Sequence, residues 1–461
     1  MAARRDLHAL CRRCLRHLEP DVRGASDDRF RTDRLSDARN RLSGGADGPR
    51  CRPGPHPRRQ PAPQSRAHAG RPVAVLHATD LGIAGLPGNR DPARWPSADP
   101  TDLQLGQESN GSANVTRRVL IVGYGAFGVL HARAWSRLPG IALRVAEEDA
   151  AARERAVGDG LSQDDVFGDL ELAMRDADVV DIVAPPDAHA MVAEMALSRG
   201  LPVLIEKPAT RTLEEARRLA ALARGVPVQV GMILRSHPLT DRARVLIDQG
   251  AIGRLVSMNG DFSGWKRMRE DSSLIENDGV HFLDLMRHLA KARIVAVDAV
   301  ANTRLGGDVV DDIRIDMLHE NGVAGELRLG LLRGGTVADS VVPGARTRKD
   351  LMLCGDKGVL HLDFNASRLT RARVRYTASP GGWHPDPGEC VTEDIDGATT
   401  VDLLKSAFAG FLETIDQGAP PCCGLEEGAI ELAQVSEAIG AALGRGPRSY
   451  VAIEAEMEAA R

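Results

Sequence analysis

From residue 117 onward, short apolar runs alternate with amphipathic stretches at a nearly constant spacing. Val119-Leu120-Ile121-Val122 and residues 141–145, 179–183, 203–205 and 228–230 are mostly aliphatic and too short for helices. Their apolar residues fall on successive positions, so they read as strands covered on both faces. Between them the pattern predicts a helix ending near 138 and helices over about 149–157, 187–199 and 212–224. Thr212-Leu213-Glu214-Glu215 is a capping box for the last of these. Strands and helices alternating in this way predict a doubly wound parallel sheet. Beyond about residue 238 the rhythm changes. A helix over 239–249 precedes strand-like runs near 255–262, 294–303, 313–318, 325–331, 351–353, 359–362 and 371–376. A helix near 281–290 interrupts them. Consecutive strands without intervening helices predict a large, mostly antiparallel sheet in an α+β domain. Helices over about 400–416, 425–443 and 454–460 close the chain.

Residues 1–116 do not follow this pattern. Arg, Pro, Gly, Asp and Ser dominate there, and apolar residues rarely recur with period 2 or 3.6. Such a segment cannot bury enough apolar surface to offset its ordering entropy. The expectation is a long disordered tail, or an upstream start with translation beginning near Val115. The domain boundaries that follow are 1–116, 117–237 and 238–461.

Charge sharpens this division. The tail carries 19 Arg and no Lys against 13 acidic residues, while the whole chain has a net charge of -5. The remainder is therefore acidic, which gives no general reason to bind nucleic acid or an anionic membrane. The seven cysteines are an odd number without a secretory signal, which fits a reducing cytoplasm. Arg4-Arg5 is not followed by an apolar stretch, and no run approaches membrane-spanning length. Cys11-x-x-Cys14 with Cys51 and His56 lacks a second well-spaced pair, so no metal site is expected.

Three motifs carry candidate chemistry. Gly123-Tyr124-Gly125-Ala126-Phe127-Gly128 follows the first strand and opens a helix. Gly123 permits the tight turn, Gly125 lets the backbone approach a pyrophosphate, and Gly128 allows close helix packing. Glu147 ends the second strand, where an acid that binds a ribose belongs. Glu148 and Asp149 add charge that would repel a 2′-phosphate, favouring NAD over NADP. The second motif is Glu206-Lys207-Pro208, at the end of a later strand, and Lys207 is the first lysine in the chain. Open α/β sheets bind ligands at such strand ends. The third is Asn277-Asp278-Gly279-Val280-His281-Phe282-Leu283-Asp284, with Asn277 and His281 four apart. After Trp265, Lys266, Arg267 and Arg269 are placed to meet an anionic substrate, or else form a solvated loop.

Together these stretches resemble the Gfo/Idh/MocA oxidoreductase family over about residues 117–450. Gly123-x-Gly125-x-x-Gly128-x-x-His131 resembles its opening. Val145-Ala146-Glu147 resembles its Val-Ala-Asp, and Ala184-Pro185-Pro186-Asp187-Ala188-His189 its Thr-Pro-Pro-x-x-His. Glu206-Lys207-Pro208 is similar to the family hallmark, often with a cis Lys-Pro bond. Val230-Gly231 through Arg235 and Pro238 resemble the next segment, with Ile233 and Leu234 replacing a polar pair. Asn277-x-x-x-His281-x-x-Asp284 departs from the family's Asp-x-x-x-His-x-x-Asp at its first position. The resemblance implies an N-terminal Rossmann sheet and an NAD cofactor held by residues 123–128, Glu147, Ala184, Pro185, His189, Glu206 and Lys207. It implies catalysis by Lys207 and His281, with Arg235, Trp265 and Asn277 also meeting the substrate. That substrate would be a sugar, cyclitol or nucleotide sugar oxidised at a secondary alcohol. Histidine, with a pKa near 6.5, suits proton transfer, and Lys207 would stabilise alkoxide charge. A homo-dimer or homo-tetramer is expected through the open sheet face. One rival reading is a non-catalytic NAD-binding sensor or scaffold, against which both Lys207 and His281 speak. The other makes the arginine-rich tail a nucleic-acid-binding arm, against which its acids and lack of lysine speak.

Overall fold

The computed structural model describes residues 117–267, 272–305, 309–339, 342, 344–445 and the backbone of 451–452. The tail, its cysteines, Arg269 and the 454–460 helix lie outside the described residues.

Six strands form the first sheet: β1 (Arg117–Val122), β2 (Ile141–Ala146), β3 (Val166–Phe167), β4 (Val179–Ile182), β5 (Val203–Ile205) and β6 (Val228–Val230). All pair in parallel, in the order β3-β2-β1-β4-β5-β6. Helices α1 (Ala126–Ser136), α2 (Ala150–Gly158), α3 (Leu170–Met174), α4 (Pro186–Ser198) and α5 (Leu213–Leu222) connect them. Val119, Leu120 and Ile121 are fully buried, as successive apolar positions require of a strand with both faces covered. Thr212 and Glu215 form the reciprocal capping box at the start of α5. Strand order reverses between β1 and β4, and ligands bind at such a switch point.

Nine strands form the second sheet: β7 (Leu255–Trp265), β8 (Ile294–Asn302), β9 (Asp312–His319), β10 (Ala324–Gly330), β11 (Arg346–Gly355), β12 (Gly358–Asp363), β13 (Arg368–Ser379), β14 (Gly382–Asp394) and β15 (Val451–Ala452). Their order is β14-β13-β12-β11-β7-β10-β9-β8-β15, antiparallel except for β7 with β10. Ile313 and Ile315, Leu327 and Leu329, Leu351 and Leu353, and Leu360 and Leu362 alternate inward and are buried. Helices α6 (Pro238–Asp248), α7 (Val280–Ala290) and α9 (Leu432–Arg445) contribute to the same core. The alternate positions Arg314, Asp316, Glu326, Arg328, Arg348 and Asp350 pair within their own strands on the opposite face. That face is charged and solvated.

The remaining helix, α8 (Thr400–Gln417), returns to the first sheet. Its Phe408 stacks on Trp135 at 4.4 Å between ring centroids, joining the C-terminal region to the β1 side of the molecule.

Candidate active site

The glycine turn leaves β1 at the switch point. Gly123 has φ +100°, and a Cβ there would lie 2.8 Å from the Ala184 backbone nitrogen. A Cβ at Gly128 would lie 2.3 Å from the Gly123 carbonyl oxygen, which accounts for glycine at both positions. A Cβ at Gly125 would meet nothing within 4 Å. Gly125 is also the N-cap of α1, and no side chain caps that terminus. Its first amides and positive helix end are thus available to an anion approaching the backbone. Ala126 and Phe127 form the first turn, and Phe127 lies 5.0 Å from His131 between ring centroids. The Tyr124 ring is buried under the turn, with its hydroxyl 3.1 Å from Asp159. Its role is to support the turn. Glu147, just past β2, accepts from the backbone N–H of Tyr124 at 2.6 Å and of Asp149 at 2.9 Å. These bonds aim its carboxylate at the turn. The residues fit a dinucleotide: an open glycine cradle, an uncapped helix and an acid at the ribose position.

Past β4, Ala184 and Pro185 lead into α4, and the buried ring of His189 ties this segment to the next strand end. Its nitrogens lie 2.8 Å from the carbonyl oxygens of Pro208 and Ala184. Past β5 comes Glu206-Lys207-Pro208, and the Lys207–Pro208 peptide is cis. Glu206 is buried. Its carboxylate accepts from the Lys207 N–H at 3.1 Å and lies 3.4 Å from His131 Nε2. His131 Nδ1 lies 2.8 Å from Asp181, which also accepts from Trp135 Nε1 at 2.7 Å. Burial works against a charge on His131, but Asp181 and Glu206 outweigh it and raise its pKa to about 9. The His131 ring thus lies between two carboxylates, hydrogen-bonded to Asp181 and at ion-pair distance from Glu206, beneath the strand end that carries Lys207.

Lys207 Nζ donates to the Asn277 carbonyl at 2.7 Å, joining the two sheets' motifs. Asn277 lies in a wide turn with π-type spacing, Ile275–Gly279, that leads into α7. The turn brings Asn277 to Lys207 through its backbone, while its side-chain amide donates to Asp278 at 3.1 Å. His281 follows in the first turn of α7, half-buried and stacked on Phe262 at 6.1 Å between ring centroids. Its pKa is held well below 6.5, by burial first and then by the charges of Lys207, Lys349 and Lys266. Its Nδ1 is buried with no hydrogen-bond partner among the described residues.

Around this histidine Lys207 is held by the Asn277 carbonyl, and the other two lysines are fixed by carboxylates and an aromatic face. Lys266 pairs with buried Asp278, and Lys349 lies 2.9 Å from Asp339. Both ammonium groups sit over the Phe262 ring, at 5.0 and 5.3 Å from its centroid. The sequence reading missed Lys349, Asp339, Asp278, Phe262 and the Asp181–His131–Glu206 bridge. Lys349 had a signal: it lies between Thr347 and Leu351 in the inward phase of β11. The chain has only six lysines, and three of them meet here.

The other expected substrate residues lie in different surroundings. Arg235 is buried. It donates to Asp284 at 2.6 Å, to Glu427 at 2.5 Å and to the Cys422 carbonyl at 2.6 Å. Trp265 ends β7 with 59% exposure, its indole lying on Gly334, where a Cβ would come within 2.4 Å. Among the described residues no group of three or more His, Cys, Asp or Glu could hold a metal ion. None of their helices is long and apolar enough to cross a membrane.

A parallel sheet with this strand order and a glycine turn at its switch point, opening an uncapped helix, define a dinucleotide-binding domain. Comparison with known proteins makes the class specific. A family profile described as "Oxidoreductase family, NAD-binding Rossmann fold" matches residues 117–233, and one described as "GFO/IDH/MocA C-terminal domain" matches 240–361. The chain belongs to the Gfo/Idh/MocA oxidoreductase family. It is 30% identical over 226 residues to inositol 2-dehydrogenase of Corynebacterium glutamicum, covering 46% of this chain and 67% of that enzyme. Among solved structures, levoglucosan dehydrogenase in complex with NADH and levoglucosan superposes with a TM-score of 0.62 at 20% identity, covering 73% of this chain and 99% of that one. UDP-N-acetylglucosamine 3-dehydrogenase from Acidithiobacillus ferrooxidans gives 0.57 at 24% identity, covering 71% and 97%. At these identities the two structures establish the fold.

Proposed function

We propose that this enzyme transfers hydride between NAD and a secondary alcohol carbon of a sugar, cyclitol or nucleotide sugar, with Lys207 and His281 at the reacting hydroxyl. The observation that carries the reading is Lys207, at a strand end of the dinucleotide sheet, donating to the carbonyl of Asn277 in the turn that leads to His281, whose pKa burial and three lysines hold below its ordinary value. The names of the relatives support the substrate class.

Bound NAD supplies the hydride acceptor. Gly123, Gly125, Gly128 and the N-terminus of α1 would hold its pyrophosphate, and Glu147 its ribose. His281, kept unprotonated by burial and three ammonium neighbours, takes the hydroxyl proton. The Lys207 ammonium donates to the same oxygen and stabilises charge developing on it. The His131 bridge holds Glu206, and through it the strand end carrying Lys207. Asn277 cannot act as a base, so the proton goes to His281. Arg235 anchors α7 through Asp284.

A screen of inositols, sugars and nucleotide sugars with NAD, following nicotinamide absorbance, tests this reading. NAD reduction by at least one polyol, abolished by Lys207→Met, is expected. NAD binding without turnover of any of these classes would sink it.

A further inference from the structure

Arg211 ties the first sheet to the turn that leads to His281. It follows Glu206-Lys207-Pro208 and immediately precedes Thr212, the N-cap of α5. Its own backbone N–H donates to Glu215 at 2.9 Å, so the capping box that starts α5 also fixes the root of this side chain. From there the guanidinium reaches two carboxylates. Nε lies 2.5 Å from Asp187, in the first turn of α4. Nη1 donates at 3.0 Å to Glu276, in the wide turn before α7. Glu276 is itself held. Its second carboxylate oxygen accepts from the N–H and the hydroxyl of Ser273, both at 2.8 Å. Ser273 Oγ accepts in return from the Glu276 N–H at 3.2 Å, which gives this pair too the form of a capping box. An arginine fixed at its root and a carboxylate fixed on one oxygen have less freedom to lose when they meet. That loss is part of what makes exposed ion pairs weak.

Each anchor of this joint adjoins a segment of the site. Asp187 comes two residues after Pro185, Arg211 four after Lys207, and Glu276 immediately before Asn277. Lys207 Nζ already bonds the Asn277 carbonyl at 2.7 Å. Lys207–Asn277 and Arg211–Glu276 are therefore two cross-links between the same two segments. A turn held at one point pivots about it, and a second link nearby removes that rotation. The forked guanidinium serves here because it offers separate N–H groups to two carboxylates at once. Arg218, further along α5, has the same chemistry with a different reach. It pairs with Glu194 and Glu214, both within the first domain.

We propose that Arg211 is a positioning residue for the proton transfer: by fastening Glu276 to Asp187 it orients the turn that carries Asn277 and leads to His281 against the strand end that carries Lys207. It acts through Glu276, and the inference rests on the roles proposed above for Lys207 and His281. The Arg211 and Glu276 side chains are 29% and 27% exposed, so salt screens the joint.

Steady-state kinetics of the full chain, with a polyol found in the screen, test it. Arg211→Gln should lower kcat about 3–10-fold, the scale of two part-exposed ion pairs, with NAD affinity by calorimetry nearly unchanged. Glu276→Gln should do the same, and the double variant should be no worse than either single one, because both act through one contact. Arg211→Lys should recover part of the loss, since an ammonium lacks the fork that spans both carboxylates. Arg218→Gln should leave kcat at the wild-type value. Raising NaCl from about 50 to 500 mM should lower wild-type kcat toward that of Arg211→Gln and leave the variant nearly flat. An unchanged kcat in Arg211→Gln, multiplicative losses in the double variant, an equal loss in Arg218→Gln, or NAD affinity falling as far as kcat would each overturn the proposal. Hydrogen exchange of the 273–281 peptide needs no substrate and should quicken several-fold in Arg211→Gln. Unchanged exchange there would overturn the fastening whatever the substrate. If no polyol turns over, the catalytic reading fails and the positioning role with it, while exchange still decides whether Arg211 holds the turn.

Discussion

His131, buried behind the first sheet's strand ends, and His281, at the start of α7, have surroundings that drive their pKa values in opposite directions. His131 lies between Asp181 and Glu206, and the carboxylates raise its pKa to about 9. His281 lies among Lys207, Lys266 and Lys349, which add to burial in holding its pKa well below 6.5. At His131 the carboxylates overcome burial, whereas at His281 burial comes first and the lysines add to it. The comparison separates the two tasks of a site like this one. A histidine that keeps its proton at neutral pH is a fixed cation, suited to fastening a strand end. A histidine kept unprotonated at neutral pH is suited to accepting a proton.

The largest expected effect breaks the catalytic side of this contrast. Lys207→Met should reduce turnover by roughly 10²–10⁴-fold, the usual loss for a positioned proton-transfer group. Lys207→Met with His281→Ala should cost far less than the product of the single losses, because both act on one proton transfer. Multiplicative losses in steady-state kinetics would show that they act on separate steps.

The next effect tests the fastening side. A proton held more tightly in the folded chain than in the unfolded one stabilises the fold at pH values below about 6.5. That contribution disappears as pH rises through about 9. Urea unfolding at a series of pH values should lose on the order of 3 kcal/mol across that window, a shift of two to three pKa units. In His131→Asn the same window should be nearly flat. A flat wild-type curve would mean that His131 is neutral.

A smaller change sharpens the other side. Lys349→Met with Asp339→Asn removes a whole ion pair and leaves no orphaned carboxylate. It should move the acid limb of kcat/KM upward by roughly half to one pH unit, because one cation near His281 is gone. An unmoved limb would show that burial alone sets that pKa. Comparable in free energy is the effect on cofactor choice. Glu147→Ser with Glu148→Arg should shift the NAD/NADP ratio of kcat/KM toward NADP by about tenfold or more, as expected when one charge repulsion becomes an attraction. Wild-type preference for NADP would show that Glu147 does not set cofactor choice.

The parallel sheet was legible because its strands are continuous apolar runs bounded by helix caps and glycine. β3 escaped notice because Val166-Phe167 is too short to show a period. The second sheet was legible strand by strand where one face is buried, as in Ile313-x-Ile315-x-Met317. β14 was not, since it has two prolines and almost no buried side chain to set an alternation. The motif residues Gly123, Glu147, Lys207 and His281 could be picked out from local context. The bridge of Asp181, His131 and Glu206 could not, because its members come from three separate elements and only the fold brings them together. The wide turn at Ile275–Gly279 was equally hidden. It changes how Asn277 meets Lys207, and helical spacing alone would have placed the side chain there instead of the carbonyl.

The central claim is that an unprotonated His281 takes the substrate proton while the cofactor is held elsewhere. Once a polyol substrate is in hand, the most direct test is kcat/KM against pH for wild type and His281→Ala, with NAD affinity measured on both by calorimetry. Wild type should show an acid limb with its midpoint below 6.5. The variant should lose that limb and roughly 10²–10⁴-fold in rate at neutral pH, with NAD affinity nearly unchanged. A variant that turns over at the wild-type rate from about pH 6 to pH 9, across the ordinary titration range of a histidine, would contradict the account.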